Sequence, residues 1–131
     1  MVEQDTIREQ IYNKIQSIIG ATIVENRIYY AQGPEQYDLP MCIYQIITDV
    51  PEYFFEGNIL DVDIQIDLYF KFENGLSAAL VVNDALFNGL DKSEILLNDK
   101  TYYIRILEKG VVNIDNEGDV INLRSMIKIR G

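Results

Sequence analysis

Residues 59–72 constrain the fold more than any other stretch of the chain. Val62, Ile64, Ile66, Leu68, Phe70 and Phe72 alternate with Asp61, Asp63, Gln65, Asp67, Tyr69 and Lys71. Successive side chains of an extended backbone point to opposite faces, so this period of two requires a strand with one apolar and one polar face. A strand of that kind belongs to an antiparallel sheet covered on one side only.

The rest of the chain supplies the cover and the neighbouring strands. Residues 4–19 place Ile7, Ile11, Ile15 and Ile18 at helical spacing, with Thr6 and Glu9 spaced as a capping box and Gly20 as a stop. A short strand is expected around Arg27–Ala31, and "QGPEQYDLP" reads as an exposed loop between Pro34 and Pro40. "MCIYQIITDV" is β-prone until Pro51. A second helix is expected from Ser77, as N-cap, to Leu90, with Leu76, Leu80, Leu86 and Leu90 on one face and Gly89 weakening its end. A hairpin turning at Asn98, Asp99 and Lys100 follows, then a turn at "DNEGD" and the alternating strand "VINLRSMIKIR". Helix, strands, helix, strands is an α+β order. The expected architecture is one domain over 1–131: a mostly antiparallel sheet of four to five strands with two helices packed on one face.

Composition excludes several classes of function. The 131 residues carry 21 acids, 11 bases and no histidine, for a net charge of −10. Phosphate contacts dominate nucleic-acid affinity, so a chain this acidic should repel nucleic acid. Without histidine, and with the single cysteine Cys42 inside the apolar run "MCIYQII", no zinc site and no Ser-His or Cys-His nucleophile can be assembled. No glycine pattern of a phosphate loop occurs. No cofactor, metal site or catalytic set is therefore expected. No run approaches the roughly 20 apolar residues of a membrane span, and "MVEQDTIREQ" lacks the order of a signal peptide. The charge is lopsided: residues 1–70 hold 12 acids and 3 bases, residues 71–131 hold 9 and 8.

Two stretches are candidate surfaces. Asp61, Asp63 and Asp67 share a strand face, with Cα atoms two residues apart about 6.5–7 Å from one another. Two carboxylates at that spacing fit an inverting glycosidase pair loosely, but the run lacks the turn and glycine of a calcium loop. The face reads as solvated or subunit-facing, with a weak cation site or catalysis as the alternatives. In "EYFFEG", Tyr53, Phe54 and Phe55 stand between Glu52 and Glu56. They either cap the edge of the core or meet another subunit.

The order of these segments resembles a known family. A loop closing at Pro40 precedes a strand carrying Tyr44 and Gln45. A second strand carries Ile64, Gln65, Ile66, Asp67 and Tyr69. A helix then ends near Ala85 and Leu86. This is similar to the tail-terminator, or tail-completion, proteins of long-tailed bacteriophages and prophages, over roughly residues 4–130. The resemblance implies a homo-oligomeric ring, usually a hexamer, located in the virion tail and assembled in the host cytoplasm. Its partners would be the tail tube protein and the head-tail connector or neck protein, with DNA passing through the lumen and no membrane involved. It implies no catalytic residues. Six copies would carry about −60, which would keep DNA from adhering to the ring wall.

Overall fold

The computed structural model describes residues 4–22, 24–25, 27–35, 38–47, 61–72, 75–114 and 120–130; at Gln4, Asp61 and Val111 it describes the backbone alone. The elements are α1 (Gln4–Ile19), β1 (Ile28–Tyr30), β2 (Met41–Ile46), β3 (Asp61–Lys71), α2 (Gly75–Leu90), β4 (Glu94–Leu97), β5 (Lys100–Ile114) and β6 (Val120–Arg130). They build one sheet in the order β1-β2-β3-β6-β5-β4. Among the described residues, β1–β2 is a parallel pair and the other four pairs are antiparallel. The α+β class holds, but the sheet is mixed and has six strands where four to five were expected. The two edge strands, β1 and β4, have three and four residues. Both segments were expected as strands, around Arg27–Ala31 and before the turn at Asn98, and the expected total of four to five fell short of them.

The inner face of the sheet carries the core. Val62, Ile64, Ile66, Leu68 and Phe70 of β3 lie beside Ile121, Leu123, Ile127 and Ile129 of β6, all buried. At roughly 25 cal/mol per Å² of apolar surface removed from water, such rows dominate the stability. Both helices cover this face. α1 touches β1 and β4, the two opposite edges of the sheet, so the sheet curls around it. At one edge the guanidinium of Arg8 lies 5.1 Å from the Tyr30 ring centre, and Tyr44 Oη donates to the Arg8 carbonyl at 3.1 Å. Near the other edge Lys14 Nζ donates to the Glu94 carbonyl at 3.0 Å.

Several helix details differ from the sequence reading. α1 begins at Gln4, so Thr6 lies inside its first turn and does not cap it. Its buried stripe is Ile7, Ile11, Ile15 and Ile19, with Ile18 only partly buried. Ile18 instead packs on Gly89, where an added Cβ would stand 2.8 Å from Ile18 Cδ1. The missing side chain leaves room for Ile18 between the helices. α2 starts at Gly75, two residues before the expected cap Ser77. Its buried face is Ala79, Val82, Asn83, Leu86, Phe87 and Leu90, while Leu76 and Leu80 are exposed. Phe72, expected in the buried row, lies past the end of β3 and is half exposed.

Asn83 of α2 packs against β5 at Gly110. The pairing of β5 with β6 slips between Ile106 and Glu108 and again between Glu108 and Val111, two bulges within five residues. Gly110 takes φ +62°, and its amide donates to Ser125 Oγ at 2.7 Å. Ser125 therefore sits fully buried among isoleucines because the bulge needs its oxygen. A Cβ at Gly110 would stand 2.8 Å from Asn83 Nδ2, so the missing side chain lets α2 settle against the bulge. Lys109 pairs with Asp84 at 3.0 Å beside it. The β4–β5 hairpin turns as expected, with Asn98 and Asp99 both at positive φ, as a tight twisted turn demands.

Candidate assembly surface

The outer face of the sheet, opposite the helices, holds the charged residues. The aspartates of β3 face the bases of β6 in register: Asp61 with Arg130, Asp63 with Lys128, Asp67 with Arg124. Cross-strand neighbours of opposite charge attract, so Asp63 and Asp67 are matched within their own chain. Asp67 is paired at 3.0 Å through Arg124 Nε, and Asp63 at 3.4 Å through Lys128 Nζ.

Asp67 corrects the expectation of a wet face. It is 5% exposed. Its Oδ1 accepts from Arg124 Nε at 3.0 Å and Asn122 Nδ2 at 3.2 Å, and its Oδ2 accepts from Gln65 Nε2 at 2.8 Å. A buried carboxylate is tolerated only with such a set of donors. Asp67 in turn raises the pKa of Arg124, mainly through the hydrogen bond. Its oxygens are committed to these partners, which argues against both the cation site and catalysis at this position. Asp63 is half-buried, and the side chain of Asp61 is not described. Tyr53, Phe54 and Phe55 lie outside the described residues. The three aspartates thus share a face, but the structure makes Asp67 a structural anchor of the β3–β6 pair.

Cys42 matches its reading as a small core residue. It is fully buried, and burial, reinforced by the nearby Asp67 charge, pushes its thiol pKa well up, so the thiolate is suppressed. Tyr44 is also buried; burial raises its hydroxyl to about 12. Among the described residues no group of three or more acids, cysteines or histidines is placed to hold a metal. No helix among the described residues is long and apolar enough to cross a membrane.

Two clefts among the described residues open on the outer face. One, of about 460 Å³, lies between Gly33, Pro34 and Leu39 and the β2, β3, β5 and β6 surface, walled by Ile43, Tyr69, Asn113 and Asn122. The other, of about 500 Å³, is lined by Tyr103, Arg105 and Leu107 of β5 with Lys128 and Arg130 of β6. Tyr103 and Leu107 are each about half exposed. Sequence reading missed this second cleft, because Arg105 and Lys128 lie far apart in the chain and only the sheet register aligns them. Alternation within each strand was the one available signal. Beside it, β4 pairs only with residues 100–103, and Lys92 and Ser93 bond Ile104. From Arg105 to Ile114 the outer edge of β5 has no partner strand among the described residues. The two bulges and the bases Arg105 and Lys109 break up that edge, which discourages continuous strand addition.

No protein-family model matches the chain, and no curated protein matches it. Solved structures do share its fold. A chain described as "Virion of native gene transfer agent (GTA) particle" superposes with a TM-score of 0.73 at 13% identity, covering 95% of this chain and 92% of that one. A second solved chain superposes with a TM-score of 0.65 at 9% identity over 97% of this chain and 95% of its own.

Proposed function

We propose that this chain is a structural component of a phage or phage-like particle, and specifically a tail-terminator protein. In that role copies join into a ring that caps the tail tube, stops its polymerisation and offers the surface on which the head's connector docks. It performs no turnover. The observation that carries this reading is the end-to-end likeness of fold to a chain from a gene transfer agent virion, with nearly all of both chains covered. The ordered motifs around Pro40, Tyr44, Gln45 and the β3 run point the same way. The matched charges of β3 and β6 also fit a scaffold: the most conspicuous acids are used to hold the sheet together.

Particles assembled with and without the chain test the proposal under the electron microscope. A terminator predicts overlong tails detached from heads when it is absent, and tails of uniform length when it is restored. Tails of normal length in its absence would overturn the terminator role. Normal-length tails that fail to join heads would assign the chain to the neck instead.

A further inference from the structure

The outer face carries two opposite charges in two different places. At the β1–β2 side, Glu35 and Asp38 stand exposed in the loop between those strands, and neither has an ion-pair partner among the described residues. At the β5–β6 side, the cleft of Tyr103, Arg105, Leu107, Lys128 and Arg130 gathers three of the chain's 11 bases. Lys128 is engaged by Asp63. Arg105 is exposed and has no acidic partner among the described residues, and Arg130 is exposed and stands opposite Asp61 in the β3–β6 register. Gly33, Pro34 and Leu39, which flank Glu35 and Asp38, line a cleft with Asn113 and Asn122, whereas Arg105 and Arg130 lie at the other end of the β5–β6 pair, so the two patches are separate.

We propose that the β5–β6 cleft is the socket for a second copy of this chain, which presents its exposed Glu35 and Asp38 to Arg105 and Arg130. The proposal rests on the ring reading above and names the surfaces that would close the ring. Charge complementarity selects the occupant. The chain is −10 overall and −9 of that lies in residues 1–70, so a sister copy presents carboxylates to any cationic cleft. The cleft also has what a protein contact requires and a bare ion site lacks. Tyr103 and Leu107 give it apolar floor, and Tyr and Arg are the side chains that most often anchor interfaces. Two unlike patches that fit each other generate a head-to-tail contact, the kind that closes into rings.

Charge reversal tests the pairing. R105E/R130E and E35K/D38K, each alone, bring like charges together and should weaken self-association at least about 100-fold in sedimentation velocity. Combining all four substitutions in one chain restores opposite charges and should restore assembly, as should mixing the two double variants. Circular dichroism melts verify folding; if R105E/R130E is unfolded, R105Q/R130Q substitutes for it, with about a 10-fold loss expected. Wild-type assembly should also weaken with added salt. An R105E/R130E variant that assembles like the wild type would overturn the socket while leaving the ring reading intact. A wild type that is monomeric at every concentration would overturn both. Salt-sensitive retention of duplex DNA, lost in R105E/R130E without change in assembly, would give the cleft to nucleic acid and overturn the second-copy assignment.

Discussion

The two faces of the β3–β6 pair are dry at their centre for different reasons. On the inner face, Leu68 and Phe70 lie against Leu123 and Ile121 beneath the helices, held by apolar burial. On the outer face, Asp67 is almost as inaccessible, yet it is held by three donors from Gln65, Asn122 and Arg124. Apolar contact is non-directional and tolerates small shifts, whereas a buried carboxylate demands its partners in place. Binary patterning therefore marks which side of a strand is polar without saying whether that side is wet.

The largest effect should come from the inner face. Phe70→Ala removes a fully buried ring and should cost about 3–5 kcal/mol, read as a lowered urea midpoint at constant slope. Asp67→Ala asks whether the outer face matters comparably. It strands the donors of Gln65 and Asn122 and should cost about 1–3 kcal/mol. A loss near zero would mean that the face is solvated after all. Gly110→Ala probes the seam where α2 meets the β5 bulge. The left-handed backbone and the 2.8 Å approach of Asn83 together predict a loss of about 1–2 kcal/mol.

The smallest effect concerns the tie between the sheet and α1. Burial raises the Tyr44 hydroxyl from 10.0 to about 12, so the folded state holds this proton more tightly than the unfolded chain. Its contribution is complete below pH 10 and is lost as pH climbs towards about 12. Tyr44→Phe should flatten that part of the alkaline unfolding curve. It should also cost about 0.5–1.5 kcal/mol near neutrality, through the lost bond to the Arg8 carbonyl.

The same contrast explains what was legible in the sequence. Long elements announced themselves: α1 and α2 by helical spacing, β3 and β6 by alternation, the β4–β5 turn by Asn98 and Asp99. The α+β class followed from their order. The strand partners were not legible, since nothing local places β6 beside β3. Without that pairing Asp61, Asp63 and Asp67 looked like one acidic stripe, when their nearest neighbours are Arg130, Lys128 and Arg124. The bulges of β5, against which Asn83 of α2 packs at Gly110, were equally hidden, as was the exposure of Leu76 and Leu80. The cleft of Arg105 and Arg130 depends on register as well.

If the chain works as an assembled part, native mass spectrometry of the purified protein over a range of concentrations should find a closed species at a fixed multiple of the 15.1 kDa chain, six being the multiple that the resemblance implies. A mass of one chain throughout, up to the highest concentration that stays in solution, would contradict that role.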